Sequence, residues 1–428
     1  MIKTVSKNIK GLHGEIVIPS DKSISHRAVM FSSIANGSCI IKNFSSGADC
    51  HSTLNLFKNL GVNIDFIDSR TLKIQSDGIL TPKTSENILD CGNSGTTMRL
   101  VSGILAGKNF NSVLIGDESL SKRPMKRVIE PLTQMGAIIE SNDGHAPLKI
   151  TGQKLKGITY SSKIASAQVK SCILLAGLNA DGKTYFSEPY LSRNHTEIML
   201  KYLGANIEVN NDSIVISPSK LEAKDITVVG DISSAAFFIS AGLIVPNSDF
   251  IIKNVGLNPT RAGIIDVVKR MGGNLEVIDK YVNAGEDVGD LRVRYTDSLK
   301  SCTIEGNDIP KLIDELPVIA VLASQANGQT VVKNAEDLRN KESDRIKCLV
   351  NELKKTGIDI EETSDGFIIN GKSKIKGGVE LESYHDHRLA MSFYVAGLIS
   401  EKEIGINGFE WTKISFPEFE ELVCELNN

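Results

Sequence analysis

No stretch of this 428-residue chain is long and apolar enough to read as a membrane span. The longest apolar run, near Ala235 to Val245, is broken by Ser240 and Gly242. It falls well short of the ~20 residues a span requires. The lysines of residues 1–10 have no apolar run behind them, so no secretory leader is expected and the chain reads as cytoplasmic. None of the seven cysteines, at 39, 50, 91, 172, 302, 348 and 424, forms a CxxC pair, which points to reduced, scattered thiols. A surplus of positive charge is missing too. The net charge of −4 argues against a broadly basic nucleic-acid surface, so no nucleic-acid partner is expected. His385 and His387 flank Asp386, but no further histidine or cysteine lies close to them in sequence, so no metal site and no cofactor are expected.

What the chain does have is an internal repeat. A short strand, a loop and a helix ending in Gly recur, followed by a hairpin: GSCIIKNF…LFKNLGVNIDF, NSVLIGDESL…LTQMGAIIE, GKTYFSEPYL…MLKYLGANIEV, SDFIIKNVGL…VVKRMGGNLEV and GQTVVKNAEDL…LKKTGIDIE. Gly61, Gly136, Gly204, Gly272 and Gly357 occupy the position of a left-handed helix cap. A sixth copy, EKEIGINGFEW…FEELVCELNN, stops after its helix. The N-terminal segments IKTVSK and GEIVIP read as strands with no helix before them, so the N-terminus is expected to complete the last unit. Both chain ends then share one domain, residues 1–19 plus 229–428. Units one to three, residues 20–228, make the other, with two chain crossings between them. A solenoid of six units in a row fits less well, because its ends would not complete one another.

Each unit also runs an extended segment into a helix start: IPSDKSISHRAV, LDCGNSGTTMRL, SSKIASAQVKS, VVGDISSAAFF, IPKLIDELPVIA and YHDHRLAMSF. Ser, Thr, Asp and Gly collect there, as N-caps do. Helix N-termini favour anions, and several of these starts add Lys or Arg.

The individual motifs leave two readings open. Lys22, Ser23 and Arg27 pair a point charge with a planar fork, suited to a ligand with both phosphate and carboxylate; capping with exposed cations is the alternative. Gly92 and Gly95 bracket Asn93, allowing close backbone approach to a ligand, or simply a tight turn; no Gly-Lys-Ser/Thr follows, so this is not a Walker loop. Arg123, ahead of Pro124, faces an anion or water. Ser166 to Ser171 is a polar patch leading into an apolar helix, with Ser192 to His195 as its companion loop. Asp314 and Glu315 stand at a helix start as caps or as a general base. Lys341 and Arg345, at i and i+4 with Glu342 between, bind an acid and handle a proton, or form a surface ion-pair helix. Asp386, His387, Arg388 and Lys413 are the counterparts in the sixth unit.

SDKSISHR, GNSGTTMR, KRP, SAQ, IDELP, NKESDR, DHR and the late Lys413 together resemble the enolpyruvylshikimate-phosphate synthases in order and approximate spacing, over nearly the whole chain. The resemblance implies an α/β fold of two domains, each of three βαβαββ units (an inside-out α/β barrel), with the site in the inter-domain cleft. It implies enolpyruvyl transfer from phosphoenolpyruvate to shikimate 3-phosphate by a monomer, without a cofactor, inhibited by glyphosate. Carried over by position, Lys22, Ser23 and Arg27 hold the shikimate carboxylate side. Ser166, Gln168 and Arg193 hold the 3-phosphate. Asp314 and Lys341 face the ring hydroxyls. Gly95, Arg123 and Lys413 surround the transferable phosphate of phosphoenolpyruvate, Arg345 and Arg388 clamp its carboxylate, and Lys22, Asn93 and Gln168 also bind it. Glu342 matches the proton donor and Asp314 the base, with Lys22 assisting. Ala167, Asp337 and His195 depart from the family pattern, and Leu100 stands where some glyphosate-sensitive members have proline. The sister enzymes acting on UDP-N-acetylglucosamine usually carry a cysteine in the loop that here reads DESLSKRPM, and none is present. A repeat scaffold that binds anions without turnover is the rival from another class.

Overall fold

The computed structural model describes residues 2–8, 10–83, 87–210 and 213–427. The chain divides into two compact units. One holds residues 1–19, 230–281 and 287–428, and the other holds 20–229 and 282–286. The first is called here the terminal unit and the second the inserted unit. The hairpin turn 282–286 therefore belongs with the inserted unit, where the sequence division had placed it with the chain ends.

Among the described residues, five of the six small sheets repeat one pattern, and the sixth, with Ile2–Val5, Ile404–Asn407 and Val379–Glu382, has three strands. In the inserted unit, Ile88–Asp90 runs parallel to Ser112–Ile115, which pairs antiparallel with His145–Thr151, and Ile138–Asn142 closes the hairpin. Thr159–Ser161, Thr184–Ser187, Ile214–Ile216 and Ile207–Val209 repeat this order. So do Thr303–Ile304, Gln329–Val332, Phe367–Asn370 and Asp359–Glu362 in the terminal unit. The parallel pair in each sheet needs a crossover, and a helix supplies it.

The N-terminal strands show where the sequence reading needs correction. Ile2–Val5 pairs with Ile404–Asn407 and so completes the sixth repeat, as expected. His13–Val17, however, runs parallel to Asp249–Gly256 and completes the fourth. The reason lies in the connections. The chain just before the fourth repeat's helix, Leu221–Glu222 and Ile226–Thr227, is already paired in parallel with Ala35–Lys42 of the first repeat. The fourth sheet therefore takes its lead strand from the N-terminus.

The first helix of each repeat is the buried one. Ile232–Ile244 is buried along all 13 of its residues, which is why its sequence is apolar on every side. It packs against Leu316–Ala323 and His387–Gly397 at the centre of the terminal unit's core. In the inserted unit Gly95–Ala106 packs on Ala167–Gly177 and on Lys22–Ile34. Among the described residues no helix is long and apolar enough to cross a membrane.

Helix starts follow the sequence closely. Asp21, Ser94, Ser166, Asp231 and Asp386 each accept a hydrogen bond from the backbone of their own first turn. Glu315 occupies the sixth start but makes no such bond. The repeat-ending glycines Gly61, Gly136, Gly204, Gly272 and Gly357 all have positive φ, where a side chain would be strained.

One glycine is required by packing instead. A Cβ on Gly103 would lie 2.1 Å from the carbonyl oxygen of Cys172, because the helices Gly95–Ala106 and Ala167–Gly177 meet there. Gly103→Ala should therefore cost about 1–3 kcal/mol in urea unfolding, since backbone cannot yield as a side chain does. Gly107→Ala, whose Cβ meets only Leu155 and Asn179 side chains at 3.6–3.7 Å, should stay within about 1 kcal/mol of the parent. Equal midpoints for the two variants would contradict this account of the helix contact.

Candidate active site

In the terminal unit the chemistry gathers on Arg345, the first residue of the helix Arg345–Lys355. Its side chain is 1% exposed, and a buried guanidinium needs partners. Nε donates to Asp386 Oδ2 at 2.7 Å, Nη2 to Glu342 Oε2 at 2.5 Å, and Nη1 to Asp314 Oδ1 at 3.4 Å. Burial acts to lower the Arg345 pKa, and the Asp386, Glu342 and Asp314 carboxylates overcome it and raise it. Glu342 shows the converse. Burial would raise its pKa, but Arg345, with Lys341, holds it well below the usual carboxylate range. Lys341 Nζ lies 3.5 Å from Asp314 Oδ1. Arg388 donates from Nη1 to the backbone carbonyl of Asp314 at 3.2 Å and from its own backbone N to Asp386 Oδ1 at 2.9 Å.

This geometry excludes two of the purely local alternatives read from the sequence. Asp314 is not a cap, because its carboxylate faces Lys341 and Arg345. The segment 341–345 is not a surface ion-pair helix either. Lys341 follows the 3-10 turn Glu336–Asn340, the helix begins only at Arg345 behind the Asp344 cap, and Arg345 is buried. Glu315 is committed elsewhere. Its Oε1 accepts from Arg261 Nη1 at 2.9 Å and from Ser233, and Arg261 Nη2 also reaches Asp231 Oδ1 at 3.2 Å. Lys413, on the turn Phe409–Ile414, is exposed, and its side chain makes no hydrogen bond or ion pair among the described residues. His387 is buried, which drives its pKa down to about 4, so it is a neutral imidazole at neutral pH. His385 stacks on Trp411 at 4.6 Å.

In the inserted unit Lys22 opens the helix Lys22–Ile34, and its Nζ lies 2.5 Å from Asp49 Oδ2. His26 flanks the same carboxylate at 3.3 Å. Burial would raise the Asp49 pKa; Lys22 and His26 outweigh it and hold Asp49 well below the usual range. His26, Asp49 and Cys50 could together offer three ligand atoms to a metal. The lysine ammonium already at Asp49 makes this an ion-pair network instead, one the sequence spacing did not reveal.

Arg27, one turn after Ser23, is also buried. Nε donates to Thr196 Oγ1 at 2.8 Å, Nη2 to Ser171 Oγ at 2.9 Å, and Nη1 to the Ser23 carbonyl at 2.9 Å. Burial lowers its pKa to about 10, against the opposing pull of Glu197 and Asp21, so it stays charged at neutral pH. Arg193 contributes to the same field.

A second group forms around Gly95, the first residue of its helix. Arg99 Nη1 donates to Gln168 Oε1 at 2.6 Å, and Gln168 Nε2 donates to Thr96 Oγ1 at 3.0 Å. Arg123 Nη2 donates to Asn93 Oδ1 at 3.3 Å, and Asn93 Nδ2 to Asp117 Oδ2 at 2.7 Å. A Cβ on Gly95 would touch Arg99 Nη1 at 3.0 Å and Arg123 Nη1 at 3.6 Å. Gly95 thus brings bare backbone beside two arginines. Pro124 stands just before the Met125 cap of the helix Lys126–Gln134 rather than inside its first turn. Ser166 caps the helix carrying Gln168. Sequence reasoning passed over Arg99, although it closes the GNSGTTMR motif, and over Asp49, Thr196 and Arg261, which no motif marks.

Known proteins resemble this chain along its whole length. Residues 6–423 match the family model of EPSP synthase (3-phosphoshikimate 1-carboxyvinyltransferase). A protein of Thermoanaerobacter sp. (strain X514) named 3-phosphoshikimate 1-carboxyvinyltransferase is 54% identical over 415 residues, covering 96% of this chain and 97% of the relative. One of Bacillus subtilis (strain 168) with the same name is 50% identical over 422 residues, covering 98% of each. A solved EPSP synthase from Acinetobacter baumannii superposes with a TM-score of 0.90 at 42% identity, covering 99% of this chain and 98% of that one. The enolpyruvyl transferase NikO from Streptomyces tendae, at 18% identity and a TM-score of 0.81, shares the fold. With matched sequence, fold and length in agreement, this chain belongs to the EPSP synthase (3-phosphoshikimate 1-carboxyvinyltransferase) family.

Proposed function

We propose that this chain transfers the enolpyruvyl group of phosphoenolpyruvate to the 5-hydroxyl of shikimate 3-phosphate and releases phosphate, in the pathway toward aromatic amino acids. The observation that carries the reading is the Glu342–Arg345–Asp314 cluster, in which two carboxylates meet one buried cation. The reaction needs one acid and one base. Glu342 protonates the methylene carbon of phosphoenolpyruvate, with Lys22 assisting. Asp314 accepts the proton of the 5-hydroxyl as its oxygen bonds to the neighbouring carbon. The resulting tetrahedral ketal phosphate loses phosphate while the new methyl group returns a proton, which restores the double bond. Charge on the departing phosphate is met by Arg123, Lys413 and the backbone at Gly95, and Asn93 and Gln168 orient it. Arg345 and Arg388 hold the pyruvyl carboxylate. Lys22, Ser23, Arg27, Ser166, Gln168, Arg193 and Lys341 bind shikimate 3-phosphate. The seven free cysteines fit a reducing, cytoplasmic setting, and the family resemblance supports a monomer.

The test is phosphate release by purified protein. It should require both substrates, and UDP-N-acetylglucosamine should not replace shikimate 3-phosphate. Glu342→Gln and Asp314→Asn should lower kcat by about 10²–10⁴-fold each while retaining shikimate 3-phosphate binding. Phosphate release from phosphoenolpyruvate alone, or near-parental kcat in both variants, would overturn the reading.

Glyphosate carries a phosphonate and a carboxylate, so it should compete with phosphoenolpyruvate for Lys22, Arg123, Arg345 and Arg388. Gly95→Ala pushes a methyl group toward Arg99 and Arg123. The inhibition constant should rise at least tenfold more than KM for phosphoenolpyruvate, because the longer ligand has less room to adjust. Steady-state inhibition at saturating shikimate 3-phosphate checks this. Inhibition that does not weaken as phosphoenolpyruvate rises would refute the shared site, and an equally sensitive Gly95→Ala variant would refute the steric argument.

A further inference from the structure

Arg27 and Arg345 are both buried cations, yet they are held differently. Arg345 is clamped by carboxylates. Among the described residues, Arg27 donates only to neutral oxygens: two hydroxyls and a carbonyl. A guanidinium has five N–H donors. Three are used here, which leaves one on each terminal nitrogen, the arrangement that receives a carboxylate in a bidentate fork. Carboxylates in direct contact would have taken those N–H groups; the neutral oxygens fix the fork and leave them for a ligand, although Glu197 and Asp21 act on its charge from farther away.

The two hydroxyls depend on a deeper structure. Ser171 lies on the helix Ala167–Gly177 and Thr196 on the helix His195–Tyr202. Their oxygens are 2.6 Å apart, and Ser171 Oγ also donates to the Ala167 carbonyl at 2.5 Å. The residue before Ser171 is Lys170, whose side chain is fully buried. Its ammonium lies 3.0 Å from Glu188 Oε1, 2.8 Å from Glu197 Oε1 and 3.0 Å from the Ser192 carbonyl. Glu188 in turn accepts from the Ser192 backbone N at 2.8 Å. Glu197 is the residue after Thr196. The helix start is pinned from its other side by His195 Nδ1, 2.7 Å from Glu286 Oε1. Apolar residues of similar volume could fill such a space with equal or greater stability. What the ion cluster adds is register between the two helices.

We propose that Thr196 and Ser171, held in register by the Lys170–Glu188–Glu197 cluster, are positioning residues that aim the two remaining N–H groups of Arg27 at the carboxylate of the acceptor substrate and thereby set its affinity. The proposal rests on the reading that Arg27 binds shikimate 3-phosphate.

The test uses the full-length chain. Calorimetry measures shikimate 3-phosphate binding to the parent, Thr196→Val, Thr196→Ser and Ser171→Ala, alongside steady-state kinetics and thermal unfolding. Thr196→Val is nearly isosteric and removes only the hydroxyl. It should weaken binding about tenfold or more and raise KM for shikimate 3-phosphate in proportion. KM for phosphoenolpyruvate and Tm should hold, and kcat should change less than about threefold. Thr196→Ser should restore affinity, which a merely structural threonine would not require. Parental affinity in Thr196→Val, or a loss that Thr196→Ser shares, would overturn the proposal. If Thr196→Val does not fold, Ser171→Ala carries the same readout on the same guanidinium, and parental affinity there overturns it. A parent that releases phosphate from phosphoenolpyruvate when shikimate 3-phosphate is present, while Thr196→Val binds normally, refutes the positioning role alone. A parent that binds no shikimate 3-phosphate refutes the functional reading and the proposal with it.

Discussion

Burying the Arg345 guanidinium is the constraint on which much of the terminal unit's site depends. An unpaired buried charge costs several kcal/mol, so the surrounding chain must deliver carboxylates to it. Three arrive from separate segments: Asp314 beside the start of Leu316–Ala323, Glu342 just before the arginine's own helix, and Asp386 at the cap of His387–Gly397. Asp386 is delivered by a turn in which Tyr384 and His385 both have positive φ, at 53° and 60°. Backbone of this kind costs roughly 1–3 kcal/mol per residue unless its surroundings enforce it. Glu352, buried seven residues along the same helix as Arg345, accepts from the Tyr384 hydroxyl at 3.0 Å and from the Glu382 backbone N at 2.9 Å. One helix thus carries both the cation and the anchor of the turn that supplies its counter-ion.

The same constraint shapes the chemistry. With Arg345 beside it, Glu342 is held ionised, and an ionised carboxylate cannot donate a proton. Under the proposed function, a ligand carboxylate that takes over Arg345 would remove the interaction that depresses Glu342, so that the acid would recover its proton only with ligand bound. In the inserted unit the buried Arg27 is instead hydrogen-bonded to neutral oxygens.

Much of this was legible in the chain. Helix starts are local, so Asp21, Ser94, Ser166, Asp231 and Asp386 could be read as caps from type and position, and the repeat-ending glycines as left-handed. Pairings across long sequence separations were not. His13–Val17 could not be assigned to the fourth repeat without knowing that residues 221–227 already served the first. Motif residues such as Arg345 were found as cations, but a charged residue four places from another looks the same buried or exposed. Only the structure shows that the helix begins at Arg345 and that its charge is internal. The partners that fix two of these cations, Asp49 at Lys22 and Thr196 at Arg27, sit at positions whose role follows from helix packing alone.

The exchange of partners at Arg345 is most directly tested by counting protons. Phosphoenolpyruvate turns over, so glyphosate is titrated instead into protein saturated with shikimate 3-phosphate, in buffers of differing ionisation enthalpy at one pH near neutrality. The apparent enthalpy should vary with the buffer as expected for net proton uptake by the protein, and Glu342→Gln should abolish the variation attributable to this group while still binding. A buffer-independent enthalpy in the parent, or the same proton uptake in Glu342→Gln, would contradict the claim that ligand carboxylate displaces Glu342 from Arg345.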